Sequence, residues 1–107
     1  MTYDYTITLG ATAVQLSASV PVTTSTTTAR WVSLQADPGN AGVIYVGGNN
    51  HGVAVASTSF GMSIPIPAST VPAAPLILDF SPAQSVDLSQ FWVKGTTNDV
   101  LHVFVIL

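Results

Sequence analysis

The chain has no cysteine and no glutamate among its 107 residues. Without cysteine there is no disulfide framework, no thiolate nucleophile and no cysteine-based metal site. Charge is almost as scarce: Arg30 and Lys94 stand against Asp4, Asp37, Asp79, Asp87 and Asp99, for a net charge of −3. An average domain carries about 25 % charged residues, whereas this one carries 7 %. A folded chain of this size exposes roughly 5,700 Å², or about one charge per 800 Å². Such a surface is poorly protected against association. Two basic side chains cannot build a patch that tracks a phosphate backbone, so we expect no nucleic-acid partner. Polybasic attachment to a membrane fails for the same reason. No apolar run approaches the roughly 18 residues of a bilayer-spanning helix. The start, Met1-Thr-Tyr-Asp-Tyr5, lacks the basic-then-apolar pattern of a secretory leader, which fits a cytosolic site of synthesis.

What the chain does have is valine and threonine, fourteen and thirteen of them. Both are stiff at χ1 and suit the pleated surface of a strand. Seven prolines and eight glycines interrupt the chain, and no stretch holds a 3.6-residue apolar period for three turns, so long helices are excluded. Alternation and turn residues predict strands over Tyr3–Leu9, Thr12–Leu16, Trp31–Ala36, Gly42–Gly47, Val53–Ala56, Met62–Ile66, Leu76–Phe80, Phe91–Gly95 and Val100–Leu107. Asp37-Pro-Gly-Asn40 is a strong turn signal. Pro65 demotes its strand to an edge or a bulge, and Ser81-Pro-Ala-Gln84 has the pattern of a single helical turn. The last two strands are expected to form a hairpin through Thr96–Asp99. Short strands at roughly ten-residue spacing predict one all-β domain over residues 1–107: a β-sandwich of about eight antiparallel strands, jelly-roll-like or a related Greek key.

The faces are unusual. On the third strand Val32, Leu34 and Ala36 alternate with Trp31, Ser33 and Gln35. The terminal strand places Leu101, Val103, Val105 and Leu107 on one side and His102, Phe104 and Ile106 on the other. A one-sided sheet should be polar on that second face. Trp31 and Trp92 also share faces with polar residues. Tryptophan brings large area with little rotamer entropy and favours interface centres. Trp31, Trp92, Phe104 and Ile106 are therefore the candidate subunit-contact residues, and Asn49, Asn50 and His51 the candidate exposed contact loop.

No motif carries catalytic chemistry. His51 and His102 have no zinc-ligand spacing, and no G-x-S-x-G elbow is present. Asp37, Asp87 and Asp99 read as turn or cap formers that bond nearby backbone N–H groups. Gly47-Gly48 precedes no helix, so it is no phosphate loop. We expect no enzyme, no metal and no cofactor.

Four segments carry a resemblance: Thr12-Ala-Val-Gln-Leu16, Asn40-Ala-Gly-Val-Ile-Tyr-Val-Gly-Gly48, Val86-Asp-Leu-Ser-Gln-Phe-Trp-Val-Lys-Gly95 and Asn98-Asp-Val-Leu-His-Val103. Together they resemble small all-β virion proteins of tailed bacteriophages, over about half of the chain. The Pro-rich stretch Ile64–Pro75 departs from the compact versions of that pattern. The resemblance implies a structural role on the virion, as a capsid decoration (cement) protein that binds the major capsid protein on the head surface, in the manner of a homotrimer. The alternative is a receptor- or glycan-binding module of a tail fibre or head fibre, with Tyr45, Asn49, Asn50 and His51 as its nearest candidates.

Overall fold

The computed structural model describes residues 2–21, 28–48, 61–67, 74–80 and 85–107. Among them are ten strands: β1 (Thr2–Thr8), β2 (Val14–Gln15), β3 (Thr28–Ala29), β4 (Trp31–Ala36), β5 (Ile44–Gly47), β6 (Met62–Ile64), β7 (Leu76–Asp79), β8 (Val86–Asp87), β9 (Trp92–Lys94) and β10 (Val100–Ile106). Two 3-10 turns, Leu16–Ser19 and Leu88–Gln90, are the helical elements described. The all-β expectation holds, and every strand pair is antiparallel. The predicted strand Val53–Ala56 and helical turn Ser81–Gln84 lie outside the described residues. β6 stops at Ile64, before Pro65, which has no N–H to give to a ladder. The two-residue strands β3 and β8 were not anticipated; they are too short to show a period.

The pairing has a simple rule. β1 pairs with β10, β2 with β9, β3 with β8, β4 with β7 and β5 with β6. The chain is thus one long antiparallel hairpin folded back on itself about the β5–β6 connection. Two lateral pairings, β10 with β4 and β5 with β9, roll that hairpin up. The result is a sheet ordered β1-β10-β4-β7 and a second ordered β2-β9-β5-β6. This corrects the expected terminal hairpin. β9 and β10 lie in different sheets, and Gly95–Asp99 carries the chain across. A Thr-Thr-Asn-Asp tetrapeptide suits a sheet-to-sheet crossing as well as a hairpin tip, so local turn chemistry could not separate the two.

Both sheets feed one core. The first contributes Ile7, Val32, Leu34, Leu101, Val103 and Val105, and the second Ile44, Val46, Ile64 and Val93. Leu16 and Leu88, one from each 3-10 turn, are fully buried with them. The turns are joined by hydrogen bonds from Leu16 N–H to Phe91 C=O (2.8 Å) and from Gln15 Nε2 to Ser89 C=O (3.0 Å). The Asp87 carboxylate caps its turn by accepting from Ser89 N–H at 2.9 Å, the local role expected of it. Tyr5 reaches across to donate its hydroxyl to Leu16 C=O at 2.8 Å, and burial pushes its pKa up.

Three connections cross between the sheets at one end: β1 to β2, β4 to β5 and β9 to β10. Crossing backbone has no ladder partner, and buried N–H and C=O groups need one. Here the crossings satisfy each other. Leu9 N–H donates to Asp99 C=O at 2.7 Å, and Asn98 N–H donates to Leu9 C=O at 3.1 Å. The Asn40 side chain imitates a strand against Val100, accepting its N–H at 2.8 Å and donating to its C=O at 2.9 Å. The Asp99 carboxylate accepts the N–H groups of Ala41 and Gly42, both at 2.9 Å. Asp99 was expected to bond nearby backbone; its partners are instead 57 and 58 residues away in sequence. Gly42 is required by close approach, since a Cβ there would overlap the Thr96 hydroxyl. Asn98 takes a positive φ of 74°, a conformation Asn tolerates better than most residues.

Asn40→Ala strands the Val100 N–H, while the Val100 C=O keeps the Asp37 N–H at 3.1 Å. We predict a fall in stability of about 1–3 kcal/mol, seen as a lower urea midpoint with an unchanged slope.

Candidate assembly surface

The inner side of the first sheet makes the core; its outer side is where the sequence anomalies converge. Antiparallel register sets the rows across that face. Thr2, Ile106, Trp31 and Asp79 form one row, and Asp4, Phe104, Ser33 and Ile77 the next. Thr6, His102 and Gln35 follow. Trp31 and Phe104 meet edge to face, with ring centroids 6.0 Å apart and planes at 82°, a favoured aromatic geometry. Phe104 is 42 % exposed and Ile77 43 %. Trp31 and Ile106 are half-buried. These four side chains are an apolar cluster on the solvent side of a sheet.

Three of the four predicted contact residues, Trp31, Phe104 and Ile106, are therefore brought together. Trp92 is not. It lies on the outer side of the second sheet, opposite Gln15 and Gly47, half-buried, with its indole Nε1 shielded from solvent and without a hydrogen-bond partner among the described residues. Tyr45 and Lys94 are cross-strand partners on that same face. Asn49, Asn50 and His51 lie outside the described residues. Ile77 was missed as part of the face. The Leu76–Phe80 alternation puts it opposite Leu76 and Leu78, but only the β4–β7 pairing shows that it sits beside Trp31 and Phe104.

Beside the apolar cluster is a shallow hollow of about 190 Å³, rimmed by Asp4, Thr6, Ser33, Gln35, His102 and Phe104. His102 is exposed and pairs with Asp37 in the turn after β4, Nε2 to Oδ1 at 2.9 Å. A carboxylate can only accept, so Nε2 carries the proton. Asp37 also accepts from Gly39 N–H at 2.9 Å. The His102 hydrogen bond first, and the Gly39 N–H second, hold the Asp37 carboxyl below its usual range. Ser33 shares the hollow with His102, and no hydrogen bond joins them among the described residues. Nor do three His, Asp, Glu or Cys side chains gather around a metal-sized space among the described residues.

Compared with known proteins, the chain finds no match: no family model fits it, and no curated protein or solved structure is significantly similar to it. The functional reading therefore rests on the residues and their geometry.

The Asp37–His102 contact makes a pH prediction. A carboxyl held low in the folded state adds stability above its unfolded pKa, and that stability is lost as pH falls through the folded value. Asp37→Asn should lower the melting temperature slightly at pH 7. The gap to the parent chain should close on acidification through and below the ordinary carboxylate range, as read from thermal melts between pH 2 and 7.

Proposed function

We propose that this chain is a virion structural protein: a jelly-roll β-sandwich that decorates the head of a tailed bacteriophage as a homotrimer and stabilises the capsid. The rolled hairpin supports the jelly-roll reading. A jelly roll is an eight-strand double sheet of two Greek keys, and the two four-stranded sheets here have that connectivity once β3 and β8 are set aside. The observation that carries the functional reading is the cluster of Trp31, Phe104, Ile106 and Ile77 on the outer face of the first sheet, in a chain with seven charged residues. Exposed apolar patches rimmed by polar groups mark interaction surfaces. A specific contact needs about 800 Å² per partner, and a capsid offers many copies, so weak single contacts gain from avidity. The task is mechanical. Apolar surface buried across joints between capsid subunits adds binding free energy that opposes the outward pressure of packaged genome. The segments that resemble phage virion proteins point the same way.

The test is a heat challenge of heads assembled without this chain. Adding the purified chain should raise the temperature at which the heads release DNA, and Phe104→Asp should abolish the gain while leaving the isolated chain folded. No affinity for heads, coupled with binding to free glycans, would replace this reading with the fibre-module alternative.

A further inference from the structure

The outer face of the first sheet sets an apolar cluster beside a carboxylate without a partner. Asp4 is the cross-strand neighbour of Phe104, and Ser33 flanks Phe104 on its other side. Neighbouring strands lie about 4.8 Å apart, so this row places a carboxylate, a ring and a hydroxyl side by side. The same three side chains rim the hollow, together with Thr6, Gln35 and His102. An edge-to-face partner covers at most one face of a ring, and Phe104 stays exposed against Trp31. The other charges of this face are disposed differently. Asp37 is bonded to His102 and Gly39. Asp79 and the exposed Arg30 lie beside Trp31 at the end of the sheet, where their opposite charges offset each other. The Asp4 carboxylate has neither an ion pair nor a hydrogen bond among the described residues.

A partner that covers Trp31, Phe104, Ile106 and Ile77 passes over Asp4 as well. A carboxylate taken out of water without a counter-charge is costly, so the partner that fits this face brings a cation to the hollow. Copies of this chain are poor sources of it. Lys94 is on the outer face of the second sheet, and copies joined through opposite sides stack in an open row. Arg30 belongs to the same face as the hollow, so copies offering it would lie face to face, in twos. They would also set Asp4, Asp37 and Asp79 against their own kind, with Arg30 as the single opposing charge. The row selects the kind of cation too. Acceptors stand on both sides of the ring, the Asp4 carboxylate on β1 and the Ser33 hydroxyl on β4. His102, whose Nε2–H is spent on Asp37, keeps Nδ1 as a further acceptor in its neutral form. An ammonium is a compact point charge, whereas a guanidinium is flat, stacks on a ring and spreads five N–H donors to either side. Its apolar stem can lie along Ile106 and Trp31. We propose that the hollow takes an arginine side chain of the protein on which this face docks, in the assembly reading above the major capsid protein, with the guanidinium stacked on Phe104 and paired with Asp4. The inference deepens that reading and rests on it.

Two measurements test it. In the first, N-acetyl-arginine methylamide is titrated into the purified chain and amide NMR shifts are followed, beside the uncharged citrulline compound and the lysine compound. The arginine compound should give saturable shifts at Asp4, Ser33, His102 and Phe104. The citrulline compound should give none, the lysine compound should bind more weakly, and Asp4→Asn should remove the response. In the second, binding to heads is compared for the parent, Asp4→Asn and Asp4→Lys. Asp4 is exposed, so both variants should melt close to the parent. Asp4→Asn should weaken binding by about tenfold or more and lessen its salt dependence, and Asp4→Lys should abolish it. Equal shifts from the citrulline compound, or variants that bind heads as the parent does, would overturn the proposal and leave the capsid reading intact. Selective binding of the arginine compound by a chain that ignores heads would support the hollow as a guanidinium site and overturn the capsid reading. Self-association of the parent that Asp4→Lys abolishes and a further Arg30→Asp restores would make the occupant a second copy and overturn the proposal.

Discussion

The structure depends on the last strand having two apolar faces. β10 lies between β1 and β4, seven residues paired with the first strand and six with the fourth. Its inward residues Leu101, Val103 and Val105 are buried with almost nothing exposed, so it ties the C-terminal end of the rolled hairpin to its beginning. Removing any one of them would leave a cavity in a close-packed layer. The same strand turns His102, Phe104 and Ile106 outward, and these set the character of the outer face. Fold and proposed assembly are therefore written on alternate residues of one strand. A polar substitution at 104 or 106 touches only the second, whereas one at 103 or 105 ends the first.

The polar and glycine motifs at the crossing end of the molecule have a physical role. Asn40, Gly42, Asn98 and Asp99 are the residues that let three sheet-to-sheet connections satisfy one another. Two four-stranded sheets joined by crossings at one end need such a clasp, because buried peptide groups outside a ladder are costly. The motif is thus a folding device. It reports how the roll is closed.

Much of this was legible from alternation alone. Tyr3, Tyr5 and Ile7, Val32 and Leu34, and Leu101, Val103 and Val105 all point to the core side that their two-residue period assigned. The apolar outer face of β10 and the outward set of Trp31 were legible for the same reason. What the sequence did not disclose was pairing. Thr96–Asp99 looks like a hairpin tip, yet it leads β9 into one sheet and β10 into another. Asp99 looks like a local turn former, yet it binds backbone from another connection. Trp92 shares with Trp31 the signature of an aromatic among polar residues, and only strand order shows that they occupy opposite sheets. Each failure has one cause: a local pattern fixes which way a residue faces, and long-range register fixes what it faces.

The central claim is that the outward side of β10 and β4 is a contact surface. The most direct measurement is the environment of Trp31 itself, in a Trp92→Phe chain where it is the sole indole. If the account is right, its emission moves to shorter wavelength and acrylamide ceases to quench it as the protein is concentrated into its oligomer or bound to heads. Emission and quenching that stay the same from dilute chain to assembled particle would mean that this face remains in water, and would contradict the account.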